Sequence, residues 1–219
     1  MNNKKYKLFV FDFDGTLGDT GECVVASFQG ALEQNQLQQA SREEIIHRMG
    51  LSLPQVFKSL TKEAYDDETY DKLVTDYRSL YRTYLTEKTK SFPGVKETLK
   101  YIKEMGALCS IATSKKTEFA ELSCKYLGLD PFIDLYIGDD KVKNKKPDPE
   151  MLHNTLEHFG SITVDEAVMI GDATTDIIMG KALGMDTIAV TWGAHSRDAL
   201  LESEPTYIVS QANDLKVFV

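Results

Sequence analysis

The sequence predicts an α/β fold: a doubly wound, mostly parallel sheet with a smaller, all-helical unit inserted after its first strand. Three observations carry this. An apolar run, Leu8-Phe9-Val10-Phe11, ends at two carboxylates, Asp12 and Asp14. From Glu22 to about Leu85 the apolar residues keep helical spacing and form no convincing strand. Beyond Val95, short apolar runs alternate with amphipathic helical stretches at regular intervals.

Taken in order, residues 6–12 read as the first strand, and Gly18 and Gly21 mark a polar loop that leaves it. Val24, Val25, Phe28, Ala31 and Leu32 then lie on one helical face, followed by Ile45, Ile46 and Met49. Ser52 and Pro54 mark a helix start ahead of Val56, Phe57 and Leu60. Tyr70, Leu73, Val74, Tyr77, Leu80, Tyr81, Tyr84 and Leu85 form the apolar stripe of a long helix. Phe92-Pro93-Gly94 reads as the returning hinge. The expected boundaries are a core of residues 1–17 and 90–219 and a helical unit of 18–89. Strands are expected at 107–113, 133–137, 167–170, 187–190 and 207–209. Helices are expected at 95–105, 119–127, 149–159, 177–183 and 199–201.

The 219 residues are 42% hydrophobic and 27% charged, as in an ordinary globular protein, with a net charge of -9. That charge argues against a nucleic-acid-binding surface. No stretch reaches the length of a membrane span, and the N-terminal apolar run is too short for a signal peptide. Cys23, Cys109 and Cys124 are widely spaced and read as free thiols in a reducing, cytoplasmic setting.

Polar groups follow four of the apolar runs: Asp12 with Asp14, Thr113 with Ser114, Lys145-Lys146-Pro147, and Gly171-Asp172 with Asp176. Parallel strands deliver their carboxyl ends to one edge of a sheet, so these groups can meet in one pocket. Paired acids beside Gly15 and Thr16 suit a divalent cation and a phosphate.

The four motifs, DFDGT, IATSK, KKPDPE and GDATTD, resemble in order those of the haloacid dehalogenase-like hydrolases. The chain is most similar to the helical-cap branch that includes phosphoglycolate phosphatase. The resemblance implies a phosphatase with Asp12 as nucleophile, forming an aspartyl phosphate, and Asp14 as general acid and base. It implies Mg²⁺ held by Asp12, Asp172 and the backbone carbonyl of Asp14. Thr113, Ser114, Gly15 and Thr16 are the expected phosphate-binding residues. Lys146, directly before Pro147, is the expected charge-neutralising lysine. Asp176 is expected to order the metal's water shell or to hold Lys146. Ala173 departs from the Ser or Thr frequent in relatives.

The helical unit takes the place of the family's cap, which covers the pocket and selects small phosphate esters. Arg48 and Gly50, in His47-Arg48-Met49-Gly50-Leu51, match a turn that faces the site in relatives. Arg48 could meet a second anion on the substrate, or be a solvated arginine at a helix end. Thr20 and Glu22 are weaker candidates near the hinge, while His195 and Arg197 read as surface residues. Phosphoglycolate is the first expected substrate. A β-phosphoglucomutase-like phosphotransferase, a nucleotidase and an inorganic pyrophosphatase are the alternatives, and a monomer or homodimer is expected.

Overall fold

The computed structural model describes residues 4–49, 51–61 and 63–219. In chain order these form β1 (Leu8–Phe11), β2 (Gly18–Asp19), α1 (Gly21–Gln34), α2 (Arg42–Ile46), α3 (Leu53–Leu60), α4 (Asp67–Lys88) and β3 (Lys90–Ser91). Then come α5 (Val95–Glu104), β4 (Leu108–Ala112), α6 (Thr117–Leu127), β5 (Leu135–Ile137), α7 (Glu150–Phe159) and β6 (Ala167–Gly171). Finally α8 (Thr174–Leu183), β7 (Asp186–Val190), α9 (Arg197–Glu202) and β8 (Tyr207–Val209) lead to a 3-10 helix, Ala212–Phe218.

Six strands form one parallel sheet in the order β5-β4-β1-β6-β7-β8. Every residue of β1 is buried, which explains its unbroken apolar run: helices cover both faces of the sheet. Phe9 and Phe11 pack on one side with Leu99, Ile102 and Phe218, while Leu8 and Val10 pack on the other with Met151, Leu152 and Met179. The chain builds outward from β1 through β4 to β5, then crosses back to β6 on the other flank. That reversal opens a crevice at the carboxyl ends of β1 and β6.

The fold is the predicted doubly wound sheet. Several ends differ by local chemistry. The expected strand at 133–137 is shortened to Leu135–Ile137 because Asp130–Phe132 winds into a 3-10 turn. The helix after β4 starts at Thr117, two residues before the expected 119, and Ser114 lies in the preceding loop. The sequence reading also lacks the short antiparallel pair β2–β3, in which Gly18 faces Ser91, and the C-terminal 3-10 helix.

Helices α1–α4 share a second core, which Phe119 of α6 joins. Phe28, Phe57 and Tyr77 meet there, with ring centroids 4.8 and 4.5 Å apart for Phe28–Phe57 and Phe28–Tyr77. The stripe on α4 is buried at Tyr70, Leu73, Val74, Tyr77, Tyr81 and Leu85, and Asp66 caps this helix by accepting the Thr69 N–H at 2.8 Å. No helix among the described residues is long and apolar enough to cross a membrane. Phe57 is fully buried between Phe28 and Tyr77. Phe57→Ala should therefore lower unfolding stability by about 3–5 kcal/mol in urea titration. A loss below about 1 kcal/mol would contradict this packing.

Candidate active site

The site forms where β1 and β6 end. Asp12 extends the pairing of the two strands by donating its N–H to Ile170 O at 2.8 Å. Gly15 then turns the chain with φ of +81°, and a Cβ there would lie 2.1 Å from Asp172 Oδ2. Only glycine tolerates both the left-handed backbone and the close approach. Gly171 and Gly193 are constrained by space alone, since a Cβ on either would fall 2.2 Å from the carboxylate of Asp176 or Asp172, respectively. The three glycines thus leave room for the acids at close quarters.

Asp12, Asp172 and Asp176 each bring a carboxylate oxygen within 4.8 Å of the others, and all three are buried. Lys146 sits among them. Its Nζ donates to Asp12 Oδ1 at 2.8 Å and to Asp176 Oδ1 at 2.7 Å. Asp176 also accepts the Ala173 N–H at 3.1 Å, which fixes it in the first turn of α8. Asp172 accepts from the Thr16 hydroxyl at 2.9 Å and from the Ala194 N–H at 2.7 Å. Lys145, the neighbour of Lys146, instead reaches Asp139.

Three buried carboxylates face one ammonium, which leaves excess negative charge out of water. Burial pushes the Asp12 carboxyl up to about 7; Lys146 opposes the shift, and Asp176 and Asp14 add to it. Burial also raises Asp172 to about 8, with the charges of Asp12 and Asp176 contributing. Burial opposes the Lys146 charge, yet Asp12 and Asp176 outweigh it and hold the ammonium above its ordinary value. Hard oxygen donors, excess charge and close spacing fit a small divalent cation. Asp176 belongs to this cluster by distance, although its nearer duty in the structure is to hold Lys146. The Asp14 side chain is elsewhere.

Asp14 is bound by Lys115, whose Nζ lies 2.5 Å from both carboxylate oxygens, and by the Thr20 hydroxyl at 2.5 Å. Lys115 also sits over the Tyr81 ring, 4.4 Å from its centroid. Two residues of spacing therefore separate two environments: Asp12 faces Lys146, Asp14 faces Lys115. Both acids line one pocket of about 730 Å³, open to solvent, with Thr113, Ser114, Arg48 and Arg78. Helices α1, α3 and α4 supply its apolar wall, including Val24, Phe28, Val56 and Tyr77.

The other expected residues divide. The Thr113 hydroxyl accepts the Lys115 N–H at 3.3 Å. Arg48 is half-buried and lines the pocket, donating to Ser59 Oγ at 2.9 Å and to Glu44 O at 2.6 Å. Thr16, expected beside the phosphate, instead commits its hydroxyl to Asp172 and is 1% exposed. Gly50 lies outside the described residues. Glu22 pairs with Arg42 at the surface.

Lys115 was not among the expected residues. Its signal was its place in IATSK, three residues beyond β4, where attention went to the two hydroxyls. His195 is half-buried rather than superficial: its Nδ1 accepts the Thr174 N–H at 3.3 Å, and burial lowers its pKa.

The raised acids have a consequence for pH. Carboxylates of unfolded chains ionise near pH 4. Asp12 and Asp172 hold their protons to about 7 and about 8 when folded, so the folded chain binds more protons in between. Stability then falls as pH rises through that window. Without metal, the protein should melt at a lower temperature at about pH 8 than at about pH 5.5. Mg²⁺ should restore more of that loss at the higher pH. Melting temperatures that rise steadily with pH would contradict the charge excess.

A sequence model of the haloacid dehalogenase-like hydrolases matches residues 9–190. The chain is 34% identical to pyrophosphatase PpaX of Bacillus pumilus, covering 100% of this chain and 99% of that protein. It is also 34% identical to IndB of Dickeya dadantii, described as a probable phosphatase, over 95% of this chain and 91% of that one. A crystal structure from Haemophilus somnus, described as a predicted phosphoglycolate phosphatase, shares the fold. Its TM-score is 0.89, with 23% identity and 96% of each chain covered. With the parallel sheet, the buried acids and four motifs in order, the chain belongs to the haloacid dehalogenase-like hydrolases.

Proposed function

We propose that the enzyme is a Mg²⁺-dependent phosphomonoester hydrolase that works through an aspartyl phosphate on Asp12. The observation that carries this is the buried Lys146 ammonium, bonded to both Asp12 and Asp176, with Asp14 two residues on in the same pocket. The relatives' names, a pyrophosphatase and a phosphatase, support the same class.

In this reading an Asp12 oxygen attacks phosphorus, and the bond from phosphorus to the leaving oxygen breaks. Asp14 gives that oxygen a proton. It then takes a proton from water, which attacks the phosphorus and frees both phosphate and Asp12. Lys146 offsets negative charge at Asp12 throughout. The Thr113 hydroxyl, which accepts from the Lys115 N–H, keeps its own hydrogen for a phosphoryl oxygen, with Ser114 beside it in the pocket. Gly15 and Thr16 shape the turn and position Asp172. Asp12, Asp172 and the Asp14 backbone carbonyl would hold the Mg²⁺. The ion supplies positive charge that lets two anions approach.

Residues 18–89 act as a cap over the core of 1–17 and 90–219, with the β2–β3 pair as the joint. The apolar wall of α1, α3 and α4 favours small substrates by excluding water. Phosphoglycolate is the reference substrate, and inorganic pyrophosphate stands beside it because PpaX is named for it.

The test is phosphate release from a panel of monoesters. Release should require Mg²⁺, stop with EDTA, and fall at least about a thousand-fold in Asp12→Asn. Release that survives Asp12→Asn would overturn the nucleophile. Isomerisation of a sugar phosphate without phosphate release would instead indicate a phosphotransferase.

A further inference from the structure

Lys115 has no part in the mechanism above, yet it is the cation nearest to Asp14. Its side chain is only 10% exposed, and its Nζ contacts both Asp14 oxygens. Phe13 and Tyr81 flank it, with ring centroids 5.7 and 4.4 Å from Nζ. For Asp14 to exchange a proton with a leaving oxygen, that oxygen must come within hydrogen-bond reach of the carboxylate. The space beside the carboxylate is where Lys115 sits. A leaving group seated there meets the ammonium within a few bonds of its bridging oxygen.

What it meets is selective. An ammonium that is only 10% exposed and flanked by two aromatic rings loses more by giving up its anion than one at a surface does. An anionic leaving group can share or take over the ammonium that Asp14 now holds. A neutral one loosens that ion pair and gives nothing back, and a cationic one repels it. Like Arg48 and Lys116, Arg78, on α4, lines the same pocket. Its Nε is buried and has no hydrogen-bond partner among the described residues. The acids that share the pocket are Asp12, committed to Lys146, Asp14 itself, and Asp139, which Lys145 engages.

We propose that Lys115, with Arg78, is a seat for an anion carried by the leaving group. The enzyme thereby selects phosphoryl substrates whose leaving group bears a carboxylate or a second phosphate close to the bridging oxygen. This rests on the hydrolase reading above and narrows its substrate class. Lys115 is then a specificity residue that also restrains Asp14 until an anion arrives.

Three near-isosteric monoesters test it: phosphoglycolate, ethyl phosphate and phosphoethanolamine, whose leaving groups are anionic, neutral and cationic. Pyrophosphate is the fourth arm and distinguishes a second phosphate from a carboxylate. With Mg²⁺ present, kcat/KM for the better of the two anionic compounds should exceed that for ethyl phosphate by about ten- to a hundred-fold, as a charge-assisted hydrogen bond would. Phosphoethanolamine should be slowest. Lys115→Met should bring the anionic and neutral compounds within about three-fold of one another, and Lys115→Arg should keep the ordering. Arg78→Gln should narrow the ratio by about three-fold or more, mainly through KM. Circular dichroism establishes that each variant is folded; if Lys115→Met is not, Arg78→Gln decides. Equal losses on every substrate in the variants would overturn the seat and leave lysine a mere support for Asp14. A wild-type enzyme that hydrolyses all compounds alike would also overturn it. A wild-type enzyme that hydrolyses none contradicts the hydrolase reading itself.

Discussion

The ammonium of Lys146, held between Asp12 and Asp176, is the contact on which the site depends. Asp12 and Asp172, placed by β1 and β6, and Asp176, in the first turn of α8, crowd within 4.8 Å of one another. Without a cation their mutual repulsion and lost hydration would oppose the folded state. Lys146 offsets part of that charge and leaves a remainder that a metal ion can neutralise. The closely packed glycines at 15, 171 and 193 exist to allow this crowding.

The same strand end serves a second cluster. Asp12 and Asp14 are two residues apart but are held by different lysines, one arriving after β5 and the other after β4. Each therefore has its own electrostatic surroundings. In the proposed mechanism Asp12 is the nucleophile and Asp14 the acid-base group, and two such roles need separate surroundings. The parallel sheet makes it possible: β4 and β5 lie on the same flank of β1, and the loops that follow them bring the two lysines to one edge. The helical block closes the other side of the pocket and leaves the chemistry to the core.

Much of this was legible in the residues. The unbroken apolar β1, the acids at its end and the alternation after Val95 specify the sheet, because buried parallel strands and their crossover helices leave strong local patterns. The Lys145-Lys146 pair shows the limit. Lys145 and Lys146 are adjacent, and only the three-dimensional path of the loop sends one to Asp12 and the other to Asp139. Thr16 looked like a phosphate ligand because hydroxyls beside a glycine turn often are, but its partner, Asp172, is 156 positions away. Lys115 stands in the IATSK motif, but its partner Asp14 is 101 positions away. Nothing local distinguishes a lysine that bends back to Asp14 from one that reaches water. The β2–β3 pair was missed because two-residue strands carry no periodic signal.

The most direct test of the central claim is to trap the enzyme in mid-reaction. With Mg²⁺ and a reactive substrate, rapid acid quenching followed by peptide mass spectrometry should find one phosphoryl group on the peptide containing Asp12. The adduct should be labile to hydroxylamine and absent in Asp12→Asn. A burst of phosphate release with no adduct at Asp12, or an adduct on another side chain, would contradict the account.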